Sequence, residues 1–373
     1  MALMRGTMAS PPSTASAPPG QKSVWTSITR SACMGGSPST GLPSWGRRRQ
    51  RSGQARGDPT RRVSPNGANQ GSRTAKESVM HQDEIPVSTA LAARLVDRGM
   101  PQWAGQPVRP LAATGTDNWM FRLGGDKVLR LPRRPSAVMQ LRREWDWLPH
   151  LRGLPLAVPE PLALGEPDDG YPHPWMVLSW LPGETLHARP PANTMASAEA
   201  LGNFLTALRD LSGEGGPIAG STNHNRGVPL TGINVATRQA IGDIARQYPV
   251  ATLMALWDDA LAAPSWSGAP LWVHGDLSPT NLLCTGGRLS SVIDFGLIAR
   301  GDPAVDLTPA WSVFDGAARS AFLSRAGIDA ATIRRGKGWA LYGAVINLAY
   351  YGDNHPTLSR QAHHVLDVLM DDA

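Results

Sequence analysis

The sequence predicts an α+β fold in two lobes, a small β-rich lobe over 80–182 and a larger, mainly helical lobe over 183–373. Three observations predict it. Short strand-like runs joined by tight turns fill residues 108–131. Apolar residues recur at helical spacing beyond Thr194, and two apolar runs each deliver an acid-bearing turn between 271 and 296. The chain of 373 residues exceeds one average domain, and 41% of it is hydrophobic, enough for a sizeable core.

Residues 1–79 stand apart. They are rich in Ser, Gly, Pro and Arg, lack apolar periodicity, and hold twelve Lys and Arg against only Asp58 and Glu77. Such a segment cannot bury enough surface to offset its chain entropy, so it reads as a disordered basic tail. Arg47-Arg48-Arg49 is the place for any weak contact with nucleic acid or anionic lipid, but a solvated tail is the simpler expectation. The Arg/Ser bias also fits a transit peptide, although Pro and Gly oppose the amphipathic helix that needs. The abrupt change of composition at Met80 fits a translation start there. The remainder carries 24 basic against 28 acidic residues, so the overall charge of +6 is no argument for binding nucleic acid. Two cysteines, Cys33 and Cys284, make neither a disulfide framework nor a zinc site. No apolar run approaches the ~18 residues of a membrane helix, and no secretory signal opens the chain. A soluble cytoplasmic protein with no membrane partner is expected.

From Ile85 the pattern becomes structured. Ser88 caps a helix with Leu91, Leu95 and Val96 on one face. Strands are expected at 108–113, 119–123 and 127–131. Thr114-Gly115-Thr116-Asp117-Asn118 separates the first two, and Gly124-Gly125-Asp126 makes a hairpin between the others. A helix from about Ser136 carries Leu141, Trp145 and Leu148 and ends or kinks at Pro149. The Pro-rich stretch 154–161 returns the chain to a strand at 175–180, which Pro182-Gly183 breaks. Leu201, Phe204, Leu205, Leu208 and Leu211 form one helical stripe. After a Gly/Asn-rich loop, helices are expected at 234–247 and 251–263, a β region at 271–294, and mainly helix over 303–371.

The chemistry sits in that β region. His274-Gly275-Asp276 follows one apolar run, Asn281 comes five residues after Asp276, and Asp294-Phe295-Gly296 ends the next apolar run. Phosphoryl transfer needs these parts: one carboxylate to orient the attacking hydroxyl and take its proton, and an amide oxygen and a second carboxylate to hold Mg²⁺ against nucleotide phosphates. Their order is that of the protein-kinase series H-R-D-x-x-x-x-N then D-F-G, with Gly275 in place of the arginine. Either motif alone would be a turn. Together, each behind an apolar strand, they point to a protein-kinase-like, two-lobed enzyme. His274 itself reads as a loop brace.

The stretch resembles the aminoglycoside phosphotransferase family, which includes antibiotic kinases and choline-kinase-like enzymes. Gly301-Asp302-Pro303-Ala304-Val305-Asp306-Leu307 matches the family's G-D-P-A-x-D-L run, and the similarity extends over roughly 105–350. The resemblance implies a kinase that uses ATP or GTP with Mg²⁺. It also implies a small-molecule hydroxyl acceptor: an aminoglycoside or macrolide antibiotic in a resistance function, or a metabolite such as choline, homoserine or a sugar derivative. Carried over by position, Asp276 is the catalytic base, and Asn281 and Asp294 are the Mg²⁺ ligands. Asp306 braces the catalytic loop, and Asp302 does likewise or caps the helix opened by Pro303.

Kinase-like enzymes pair a third-strand cation with a glutamate on the next helix to steady the nucleotide phosphates. Arg130, where lysine is commoner, and Glu144 take those places, and an arginine can bind phosphate and carboxylate bidentately. Lys127 is the second choice, expected to face water, and Arg142 and Arg143 read as solvated. Gly115 and Thr116 are the phosphate-cradle residues, with an ordinary hairpin turn as the simpler reading. Adenine is expected near 176–181. Asp258, Asp259, Asp353, Asp371 and Asp372 would serve a polycationic acceptor, but solvated faces are the expectation. The short segment between Asp294 and Asp306 leaves little room for the activation loop of a protein kinase. The rival readings are a non-catalytic nucleotide-binding scaffold and a nucleic-acid-associated protein working through its tail.

Overall fold

The computed structural model describes residues 84–111 and 117–372, so the expectations for residues 1–79, Gly115 and Thr116 lie outside the described residues. Ser88 caps α1 (Thr89–Gly99), its Oγ accepting from the Leu91 N–H at 3.1 Å. There follow β1 (Val108–Pro110), β2 (Asn118–Leu123), β3 (Lys127–Pro132), α2 (Pro135–Trp147), β4 (Pro161–Gly165) and β5 (Trp175–Ser179). The strands form an antiparallel sheet in the order β1-β2-β3-β5-β4. Pro135 opens α2 at its first position, where a missing N–H costs nothing, and Pro149 turns its end into a 3₁₀ turn at Leu148–Leu151.

Strand parity decides which side chains meet. Leu129, Leu131, Trp175 and Val177 share one core with Leu91 and Leu95 of α1, whereas Met176 and Leu178 belong to the larger core with Leu141 of α2. Arg130, between Leu129 and Leu131, therefore projects toward α2. β4 is a strand that the sequence reading passed over. It lies at the sheet edge, buries only Gly165, and so shows no alternating pattern.

The larger lobe begins with β6 (Glu184–Thr185), too short to be seen in sequence, and α3 (Thr194–Asp210), capped by Asn193. The predicted stripe of α3 is buried from Leu201 to Leu208. Next come α4 (Asn234–Asp243), α5 (Val250–Ala262), β7 (Leu271–Val273), β8 (Leu282–Thr285), β9 (Arg288–Val292) and β10 (Ala299–Gly301). The chain ends in α6 (Pro309–Ser312), α7 (Gly316–Arg325), α8 (Ala330–Tyr351) and α9 (Pro356–Asp371). α8 runs through the core, with Trp339 fully buried. Asp302 caps the turn after β10 through Ala304 N–H (3.0 Å) and takes two bonds from Arg335 of α8 (2.7 and 3.1 Å), both residues being buried. Cys284 is a buried free thiol, and among the described residues no helix is long and apolar enough to cross a membrane.

Gly165 faces Trp175 across the β4–β5 pair, and a Cβ there would lie 2.1 Å from Cε2 of an indole that is 1% exposed. Gly165→Ala is therefore expected to cost about 1–3 kcal/mol through overpacking. Urea unfolding checks this, and an unchanged midpoint would mean that the edge strand yields freely.

Candidate active site

Arg130 is the hub. Its Nη1 donates to Glu144 Oε2 at 2.5 Å and its Nη2 to Asp294 Oδ1 at 2.6 Å. The Asn118 amide, turned so that its oxygen faces the guanidinium, accepts from Nη2 (3.0 Å) and Nε (3.1 Å). Glu144 Oε1 accepts from the Phe295 N–H at 2.7 Å, so one carboxylate holds both the strand cation and the backbone beside Asp294. Burial disfavours the Arg130 charge, but Glu144 and Asp294 more than offset it. Burial also pushes the Glu144 carboxyl up, against the pull of Arg130. Asp294 is partly exposed and loses some of its hydration, yet the Arg130 charge and hydrogen bond hold its carboxyl below the usual range. Its φ of 67° is left-handed, a conformation Asp tolerates better than most residues.

The turn between β7 and β8 carries the other groups. Asp306 accepts from the N–H groups of His274 (2.7 Å) and Gly275 (2.8 Å). Burial lowers the His274 pKa, and the neutral ring fits its contacts: Nε2–H donates to Ile293 O (3.0 Å), and Nδ1 accepts from Asp276 N–H (3.1 Å). Gly275 has φ 84°, and a Cβ there would lie 3.0 Å from Leu297 O and 3.1 Å from Arg226 Cβ. Asn281 Nδ2 donates to Asp276 O (2.9 Å) and Oδ2 (3.2 Å), leaving the amide oxygen for a cation. Ile293 N–H to Asn281 O (3.0 Å) binds this turn to the one bearing Asp294. Burial raises the Asp276 carboxyl and the Asp294 charge adds to this, while Arg226 and Asn281 pull it back.

The structure thus brings together Asp276, Asn281, Asp294, Arg130 and Glu144, and assigns Asp302, Asp306 and His274 to bracing contacts. Lys127 departs from expectation: it pairs with Asp126 at 2.5 Å and lies over the Trp103 ring at 5.5 Å, with only 12% of its side chain exposed. Arg143 is buried and donates to Thr222 Oγ1 at 2.8 Å.

An open cavity lies beside Asp276, walled by Arg226, Ser312 and residues of α8 and α9. Asp276 is the one carboxylate among its described lining residues. Asp258, Asp259 and Asp372 instead pair with Arg238, Arg334 and Arg319, and Asp371 does not reach the cavity. The side chain of Asp353 lies outside the described residues. Sequence reasoning missed Asn118 and Arg226. For Arg226 the signal was Asn223-His224-Asn225 just before it, residue types that tolerate left-handed backbone.

The sequence profile of the phosphotransferase enzyme family matches residues 108–340. Among solved structures, the GDP complex of wild-type aminoglycoside 2'-phosphotransferase-IIIa is similar at a TM-score of 0.59 and 20% identity, covering 77% of this chain and 100% of that one. Macrolide 2'-phosphotransferase type I is similar at 0.53 and 19% identity, over 75% of this chain and 98% of that one. Macrolide 2'-phosphotransferase MphH from Brachybacterium faecium gives 0.50 and 21%, again over 75% and 98%. At such identities the likeness is one of fold. No curated protein matches the chain in sequence.

A lysine at position 130 could not reach Glu144, Asp294 and Asn118 at once, because it lacks the planar fork. Arg130→Lys is expected to lose about 1.5–3 kcal/mol of stability, the worth of a charged hydrogen bond left unmade. Arg130→Met should lose more, about 3–5 kcal/mol, by leaving Glu144 buried and unpaired. Equal unfolding free energies for wild type and both variants would show that the fork holds nothing in place.

Proposed function

The chain belongs to the phosphotransferase enzyme family, and we propose that it transfers the γ-phosphoryl group of ATP, or of GTP, to a hydroxyl of a small molecule, with Asp276 as base. The observation that carries this is the clustering of Asp276, Asn281 and Asp294 beside an open cavity. A pure binder has no need of a base so placed.

Asn281 occupies Asp276 Oδ2, which leaves Oδ1 to orient the acceptor hydroxyl and take its proton. The Asn281 amide oxygen and the Asp294 oxygen not held by Arg130 suit Mg²⁺, a hard cation that takes few protein oxygens and completes its shell with phosphates and water. When bound, Mg²⁺ supplies neutralisation of the phosphate charge. Arg130, fixed by Glu144, offers its charge to the α- and β-phosphates. A phosphate cradle at Gly115 and Thr116 completes the proposal. Asp306 and neutral His274 keep the turn in shape without touching the reactants. Work on ATP with a buried free thiol fits a cytoplasmic setting.

Similarity to aminoglycoside and macrolide phosphotransferases supports an antibiotic acceptor and a role in resistance. A second reading, a metabolite acceptor such as a sugar derivative, is favoured by a cavity wall that is poor in carboxylates.

Asp276→Asn is expected to lower kcat by about 10²–10⁴-fold with nucleotide affinity nearly unchanged. A parallel loss of ATP binding, read by calorimetry, would remove Asp276 from the role of base. Asp294→Asn should raise the Mg²⁺ concentration needed for half-maximal turnover by about tenfold or more. An unaltered metal titration would take Asp294 out of the ligand set.

A further inference from the structure

We propose that the cavity beside Asp276 accepts a hydroxyl compound without positive charge whose carboxylate substituent is bound by Arg226. This rests on the phosphotransferase reading above and narrows its acceptor class.

The wall offers donors and lacks counter-charges for a cation. Arg226 makes no ion pair within 4.0 Å among the described residues, and its Nε is buried without a hydrogen-bond partner. Trp339, fully buried on the same wall, carries an indole N–H that is likewise unpartnered. Both orphan N–H groups lie beneath the surface of the wall, and no described lining residue has a buried orphan acceptor. The rest of the Arg226 guanidinium is only partly buried, and a ligand that completes it brings oxygen acceptors. Ser312, Asn347 and Gln361 can serve the hydroxyls of a polar ring, and Val305 and Val365 its carbon face.

Arg226 is held in place by a built segment. Fully buried Asn223 accepts from Gly220 N–H (2.9 Å) and donates to Arg226 O (2.8 Å) and Leu297 O (3.2 Å). His224 (φ 55°) and Asn225 (φ 59°) are both left-handed, and with Asp294 they are the three non-glycine residues of positive φ among the described residues. Such strain persists where the surroundings over-determine it, and it gathers at binding sites. Gly275 leaves room for the Arg226 stem, since a Cβ there would come within 3.1 Å of Arg226 Cβ. A polycation entering this cavity would meet the Arg226 charge, with Asp276, the base, as the one carboxylate on the described wall.

The test uses one ring with three charges, glucosamine, glucose and glucuronate, and adds kanamycin as a polycation. Binding to the full chain is measured by calorimetry with Mg²⁺ and a non-hydrolysable ATP analogue, for wild type, Arg226→Gln and Arg226→Lys. Wild type is expected to bind glucuronate about tenfold tighter than glucose, the worth of one charged hydrogen bond, with glucosamine and kanamycin weaker still. Arg226→Lys should keep that order, and Arg226→Gln should erase it. Tighter binding of kanamycin or glucosamine, an unchanged order in Arg226→Gln, or no binding of glucuronate would overturn the inference. Binding of glucuronate in this order without ATP turnover on any acceptor would sink the phosphotransferase reading and leave the acceptor inference standing. Turnover with kanamycin as the preferred acceptor would do the reverse.

Discussion

A single guanidinium ties the two halves of the chemistry together. Arg130 on β3 bonds Glu144 on α2, Asp294 on the turn after β9 and Asn118 on β2, so one planar group sets the distance between sheet, helix and turn. The arrangement is sensitive because it is dry. Glu144 is wholly buried, and a carboxylate there is tolerable only with its cation and the Phe295 N–H in place. Asp294 inherits its position from residues far away in the chain, and its left-handed backbone is sustained by the same contacts.

Acidic side chains elsewhere in the site act on the backbone. Asp306 gathers two successive N–H groups of the β7–β8 turn, and Asp302 closes the next turn while locking Arg335 of α8. His274 is pinned as a neutral ring between Ile293 O and the Asp276 N–H. These contacts allow a turn that carries two functional side chains to remain open on one side without collapsing into it. Rigid support of this kind is what positions a base within hydrogen-bond reach of a hydroxyl.

How much of this could be read from the chain follows from how local each constraint is. That Asp276, Asn281 and Asp294 come together was legible because they lie on turns at the ends of consecutive short strands, which are close in sequence. Arg130 and Glu144 were legible through strand parity and the helix that follows. β4 was not, since an edge strand with one buried residue leaves no period-two signal. Arg143 and Lys127 look solvated by composition, yet a threonine hydroxyl and an aromatic face claim them, and neither partner is near in sequence. Asn118 lay outside any pattern and Arg226 was marked only by the residue types before it, because their contacts come from which segments the fold packs side by side.

The acceptor wall shows the same division more sharply. It draws on Arg226, the turn around Thr308, α8 and α9, segments with no fixed spacing from the catalytic turn or from each other. Substitutions there can change the charge and shape of the cavity without disturbing Arg130, Asn281 or Asp294, none of which lines it. In this chain Asp258 and Asp259 of α5 and Asp372 just after α9 are already paired with Arg238, Arg334 and Arg319, so they add little negative field at the cavity. A fold shared with antibiotic phosphotransferases therefore fixes the donor half of the reaction far more tightly than the acceptor half. The acceptor has to be argued from the wall that this sequence builds, and that wall presents an arginine with no ion pair within 4.0 Å among the described residues.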